Sequence, residues 1–149
     1  MKSHPTDYPD RIRDIASALA PLRPLTETES IAPELVPVLG ITRDRVMETQ
    51  HYHVDPARKD AFLAAMIELR DVRGRAGAIL WNLGEDVSNP SHWVELWWME
   101  SWTDHLREAG RLSDDDRAAL ARAMDFDTGL EPLKQRRYLM VNPSRPDLR

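Results

Sequence analysis

The stretch His92–Trp102, HWVELWWMESW, holds Trp93, Trp97, Trp98 and Trp102, four of the chain's five tryptophans, in eleven residues. It reads as one strand running into the start of a helix. Indole is large, apolar and rigid, with a single N–H donor, so such a strand must be covered by core, by a partner subunit or by a ligand. Side chains alternate along a strand, which puts Trp93, Glu95 and Trp97 on one face and Val94, Leu96 and Trp98 on the other. The preceding apolar run behaves the same way: Ile79, Trp81 and Leu83 alternate with Ala78 and Leu80. Alternation that yields no wet face calls for a second layer. Two sheets packed face to face about a two-fold axis supply it, so a homodimer is expected.

Working outward, Val46 to Val54 forms a first strand, with Asp55 and Pro56 as helix N-cap and first helical position. Phe62, Met66, Leu69 and Val72, with Leu63 alongside, make the apolar stripe of a helix ending near Val72, and Gly74 and Gly77 punctuate its exit. A second strand, Ala78 to Glu85, meets a turn built on Asn89 and Pro90, from which the tryptophan strand returns as a hairpin. Helical stretches follow at Trp102 to Arg111 and Ser113 to Met124, the latter capped by Ser113 with Asp114, Asp115 and Asp116 at the positive end of its dipole. A last strand spans Gln135 to Val141. The order βαββαβ predicts an α+β, ferredoxin-like domain over residues 43–149, a four-stranded antiparallel sheet with helices on one face.

Residues 1–42 read differently. Tyr8 to Ala20 carries Ile12, Ile15, Ala16 and Leu19 at helical spacing, and Pro21 ends that helix. Pro24, Pro33 and Pro37 then make Pro21 to Thr42 an extended arm bearing Ile31, Leu35, Val36, Val38 and Leu39. Such an arm can serve as a lid, a subunit clasp or a loosely held tail.

A chain of 149 residues with 42% hydrophobic content supports one domain plus an appendage. The net charge of -5 argues against nucleic acid as partner, and the arginines are interspersed with acidic residues, as Arg117 and Arg122 are beside Asp114 to Asp116. Cysteine is absent, which removes disulfide and thiol chemistry and suits a reducing, cytoplasmic setting. The charged first twenty residues do not read as a signal peptide, and no run of about twenty apolar residues predicts a membrane span.

Four short motifs carry a resemblance: DPAR at Asp55 to Arg58, AFL at Ala61 to Leu63, G-A-x-x-W at Gly77 to Trp81, and ESW-x-x-HLR at Glu100 to Arg107. Over roughly residues 43–141 the chain resembles the dimeric α/β-barrel family that includes antibiotic biosynthesis monooxygenases. Within it, the chain is most similar to the soluble C-terminal domain of enterobactin-exporter-type major-facilitator transporters. The resemblance implies dimerisation through the sheets and a cavity between sheet and helices that takes an apolar aromatic or polycyclic small molecule. It also implies either cofactor-independent oxygenation of an electron-rich phenol or, as in a transporter appendage, non-catalytic sensing or scaffolding. Glu48 and Gln50 stand where the resemblance leads one to expect apolar strand residues, and Ala109 where a second histidine would follow His105.

The polar residues among the apolar strands are the chemical candidates. His51 and His53 lie two apart on a strand, about 7 Å between Cα atoms, and either imidazole can act as general base near neutral pH. As metal ligands they want a third partner that spacing does not identify, so no metal site is read from them. Glu95, among indoles, is a third acid–base candidate, against an ion pair with an arginine of a neighbouring strand. Glu48, Gln50 and Tyr52 share one strand face. Tyr52, Trp81, Asn82, Trp93, Trp97, Trp102 and His105 are the expected ligand-contacting residues, with Trp102 and His105 equally suited to packing the strand-to-helix corner. No phosphate loop, nucleophile elbow or flavin fingerprint appears, so no cofactor is expected.

Overall fold

The computed structural model describes residues 31–129 and 135–144. Pro33–Leu35 forms a 3-10 turn that leads into α1 (Val36–Leu39), followed by β1 (Val46–His53), α2 (Lys59–Arg75), β2 (Leu80–Asp86), β3 (Asn89–Met99), α3 (Trp102–Arg107), α4 (Asp114–Met124) and β4 (Gln135–Leu139). The sheet order is β2-β3-β1-β4 with every pairing antiparallel. This is the expected α+β ferredoxin-like arrangement.

The tryptophan strand is central. It pairs with β1 from Val46↔Met99 to His53↔His92 and with β2 from Leu80↔Trp98 to Glu85↔Trp93. Trp93, Glu95, Trp97 and Met99 face the helices and are buried, while Val94, Leu96 and Trp98 lie half-buried on the outer face. On that outer face Leu80 and Tyr138 remain 53% and 43% exposed, an apolar surface that a second layer would cover.

The helix side closes over Phe62, whose ring meets Tyr52, Trp93 and Phe126 at centroid distances of 5.4, 5.5 and 5.8 Å. α2 contributes Phe62, Met66, Leu69 and Val72, and α4 contributes Ala119, Leu120, Ala123 and Met124. The Ser113 and Asp116 capping box forms as expected, and Asp116 Oδ1 also accepts from Arg75 Nη2 at 2.6 Å, tying the end of α2 to the start of α4.

Three local expectations are corrected. The hairpin turn is Val87 and Ser88, held by Asp86 Oδ1 accepting from Ser88 N at 2.8 Å, and Asn89 and Pro90 belong to β3. Pro90 is tolerated there because β1 pairing stops at His92, so no β1 carbonyl needs its missing N–H. α2 runs through Gly74 to Arg75, three residues beyond Val72; its exit is made by Gly77, at φ 111, while Ala78 N reaches back to Arg73 O at 2.9 Å. The described end of the arm is not extended. It turns helically at residues 33–39 and packs Leu39 with Val46, Trp97, Met99 and Trp102 on the helix side. The predicted helix Tyr8 to Ala20 and the arm before Ile31 lie outside the described residues.

A side chain at Gly77 meets two obstacles, since a Cβ there would run into Arg111 Nη1 and Met99 Cε, and Arg111 Nη1 donates to Ala76 O at 2.8 Å. Gly77→Ala is therefore expected to lower unfolding free energy by about 1–2 kcal/mol from the left-handed backbone alone, and more from displacing Arg111, as read by urea denaturation.

Candidate functional site

The layer between sheet and helices is polar at its centre. Glu95, fully buried, accepts four hydrogen bonds: Arg73 Nε at 2.9 Å and Nη2 at 3.2 Å, Tyr52 OH at 2.8 Å and Trp81 Nε1 at 2.9 Å. Arg73 comes from the inward side of α2 and lays its guanidinium 3.7 Å from the Trp97 ring centroid. Burial works against the charged arginine, but Glu95 outweighs it and holds the guanidinium above its ordinary range. Burial and the Glu95 charge push the Tyr52 phenol well above its ordinary value, so it stays a neutral donor. Glu95 thus has both oxygens engaged by donors of the chain itself. Its arginine comes from a helix, not from a neighbouring strand.

Beside this pair lies a second cluster. Glu48 of β1, His105 of α3 and Glu108, the residue that ends α3, converge so that His105 Nδ1 is 2.9 Å from Glu48 Oε1 and 2.9 Å from Glu108 Oε2. Trp97 Nε1 donates to the outer oxygens, Glu48 Oε2 at 2.9 Å and Glu108 Oε1 at 2.8 Å, and Gln135 Nε2 donates to Glu48 Oε1 at 3.0 Å. Arg137 Nη1 stands 3.5 Å from His105 Nε2. Burial raises the Glu48 carboxyl to about 7, against the lowering effect of His105. Glu108 is held at about 2: burial opposes its charge, but His105, Glu48 and Arg73 outweigh it. Burial likewise opposes the charge on His105, yet Glu108 and Glu48 lift it to about 9. These three are the described residues whose donor atoms come together closely enough to hold a metal ion.

The remaining candidates divide between the two faces. Tyr52, Trp81, Trp93, Trp97, Trp102 and His105 gather on the helix side, with Trp102 9% exposed and its ring 4.8 Å from that of His105 at the strand-to-helix corner. Asn82 lies exposed on the outer face, opposite Leu96, and cannot share a ligand with them. His51 and His53 also face outward, away from Glu95, so the expected trio of His51, His53 and Glu95 is not brought together. What His51 does meet is His92: Nδ1 and Nε2 stand 2.8 Å apart with the rings 13° from parallel, and His92 Nδ1 is 3.0 Å from Asp86 Oδ2. Hydrogen bonds from His92 and from the Ser88 backbone hold the Asp86 carboxyl below its ordinary range. His92 Nε2 is thus placed to accept from His51 Nδ1 when Asp86 accepts a proton on His92 Nδ1.

Sequence reading placed Glu48 in a polar strand face without its partners, and missed Arg73, Asp86, His92, Glu108 and Gln135 as site residues. Arg73 was detectable as a cation four residues past Leu69 on an apolar stripe, and Glu108 as the partner three residues beyond His105. His92 requires the register His53↔His92, which only the folded hairpin supplies.

The site predicts two stability effects. Arg73→Met leaves Glu95 buried and unpaired and is expected to cost about 3–5 kcal/mol by urea denaturation, whereas the double change Arg73→Met with Glu95→Leu recovers most of it. For pH, the raised Glu48 contributes stability that is full below about 4.5 and lost as pH rises through about 7, and the raised His105 adds a loss through about 9. The depressed Glu108 contributes above about 4.5 and is lost as pH falls through about 2. The melting temperature in chelator-containing buffer should fall from pH 5 to 9, and Glu48→Gln should flatten the part below about 7.

Comparison with known proteins follows the same lines. The family model described as "Transmembrane secretion effector" matches residues 14–145. A solved structure titled as a candidate antibiotic biosynthesis monooxygenase from Bordetella bronchiseptica is similar with a TM-score of 0.55 at 20% identity, over 66% of this chain and 99% of that one. One from Caulobacter crescentus under the same description gives 0.56 at 19%, over 67% and 92%. A conserved protein from Methanosarcina mazei gives 0.55 at 12%, over 65% and 93%. At these identities the likeness shows the fold. No curated protein matches the chain.

Proposed function

This chain belongs to the transmembrane secretion effector family, and from that premise we propose that it is a homodimeric small-molecule-binding domain of the transporter-associated kind. It acts in the cytoplasm and takes an apolar aromatic or polycyclic ligand between sheet and helices. Residues 43–149 make the binding domain, and residues 1–42 are appended to it.

The observation that carries this reading is Gln50. Its side chain is 2% exposed on the helix side of β1, between Glu48 and Tyr52, and its Nε2 has no hydrogen-bond partner among the described residues. A buried donor left unpaired costs about 1–3 kcal/mol, so an acceptor from outside the chain is its natural complement. Trp93, Trp97 and Trp81 lie on that side, so the matching ligand is an aromatic body bearing a carbonyl or phenolic oxygen. On the opposite face of the same strand the Thr49 hydroxyl is also buried and has no hydrogen-bond partner among the described residues, beneath the surface that carries Leu80 and Tyr138. One orphan fits a ligand, and the other fits a second copy.

Titrating the protein with two- to four-ring phenols is expected to quench tryptophan emission saturably, and sedimentation to give twice the chain mass. Gln50→Leu is expected to weaken binding about tenfold, equivalent to about 1.4 kcal/mol, while raising the urea midpoint of the free protein. Indifference to every phenol sinks the ligand reading. A Gln50→Leu protein less stable than the parent shows that an ordered water already satisfies the amide.

The Asp86, His92 and His51 relay favours a second reading, cofactor-independent oxygenation of a phenol with His51 as base; the Bordetella and Caulobacter proteins are described as candidate antibiotic biosynthesis monooxygenases. For this the phenol would lie on the outer face against His51 and lose its proton there, and its anion would take up dioxygen, one atom staying on the ring as a quinone oxygen and the other leaving as water, with the phenol supplying the electrons. Dioxygen uptake with a bound phenol, lost in His51→Ala while binding persists, supports turnover; binding with no uptake leaves a sensing or scaffolding module.

A further inference from the structure

We propose that Glu48, His105 and Glu108 form a binding site for a divalent transition-metal cation. Their donor atoms, one from each residue, all lie within 4.8 Å of one another, and all three residues are buried. An oxygen of each carboxylate lies 2.9 Å from the same ring nitrogen, Nδ1, so the three donor atoms converge on one point. A cation set between the three atoms would serve both oxygens and the nitrogen lone pair together. Metal–donor bonds of about 2.0–2.2 Å put neighbouring donors about 3 Å apart at right angles, so the imidazole-to-carboxylate spacing already suits a metal.

The surroundings fit as well. The oxygens turned away from His105 both accept from Trp97 Nε1, an outer hydrogen bond that fixes each carboxylate with its other oxygen inward. Gln135 reaches Glu48 Oε1 through its amide, and rotating that amide by half a turn offers a carbonyl oxygen as a fourth ligand. Of the positive groups nearby, Arg73 is occupied by Glu95, and Arg137, 3.5 Å from Nε2, would have to turn aside, because that nitrogen carries the ring proton once Nδ1 binds a metal. One nitrogen and two or three oxygens match zinc, manganese, iron or cobalt better than magnesium or calcium, which favour oxygen donors alone. A cation here would pin β1 to α3 from inside the layer. The proposal does not rest on the phenol-binding reading, and metal uptake is measured without any phenol.

The test uses the full chain stripped with chelator, dialysed against Zn2+ and separately Mn2+, with metal counted by mass spectrometry and Co2+ added for its visible bands. The expected result is one equivalent bound per chain, a higher melting temperature, and Co2+ absorption of a nitrogen–oxygen site. Glu108→Gln should weaken uptake by at least about tenfold, and the paired change His51→Ala with His53→Ala should leave it unchanged. Should Glu108→Gln fail to fold, Trp97→Phe keeps all three ligands, releases the outer oxygens and should weaken binding without abolishing it. No saturable uptake by the parent protein overturns the proposal. So does uptake that the histidine pair removes while Glu108→Gln spares it, which would place the metal on the outer face.

Discussion

Everything in the layer between sheet and helices is arranged around one fully buried carboxylate, Glu95. A charge taken out of water costs several kcal/mol unless it is matched and hydrogen-bonded. Here it is matched by Arg73 and supported by the Tyr52 hydroxyl and the Trp81 indole, so four donors from β1, β2 and α2 converge on one side chain of β3. This convergence sets how α2 lies on the sheet, because Arg73 reaches Glu95 only with that face of the helix turned inward. It also places the guanidinium against Trp97, whose N–H is turned to the neighbouring Glu48 and Glu108 pair. The two clusters are thus coupled through one indole.

The polar layer explains why β1 departs from an apolar strand. Glu48, Gln50 and Tyr52 alternate with Thr49 and His51, and β1 lies between β3 and β4, covered by helices on one side. Its inward residues serve the two charge clusters. Its outward residues lie on the face that bears Leu80, Leu96, Trp98 and Tyr138. Both faces of one strand therefore hold a polar group with no partner among the described residues, Gln50 inward and Thr49 outward. A sheet that served only to fill a core would gain by having apolar residues at both places.

Much of this was legible before folding. The tryptophan alternation in HWVELWWMESW divided Trp93 and Trp97 from Trp98 correctly, because a strand's two-residue period needs no tertiary information. The α2 stripe and the Ser113 cap were equally local. The turn was misplaced because Asn89 and Pro90 favour turns strongly, and only the limit of β1 pairing at His92 frees Pro90 to sit in a strand. Asn82 was grouped with Trp81 although neighbours on a strand point to opposite faces; only which of the two meets the helices needed the fold.

The order of elements, the division of the tryptophan strand between two faces and the Ser113 cap were thus determined by the sequence alone, since each depends on residues a few positions apart. What only the tertiary structure decided was partnership across the chain: Arg73 with Glu95, Glu48 with His105 and Glu108, and His51 with His92. Those pairs span different elements, and a shift of one residue in register would turn each side chain to the opposite face. The charges on these side chains follow from that register, because burial and the neighbour it imposes determine whether a carboxyl is held near 2 or near 7.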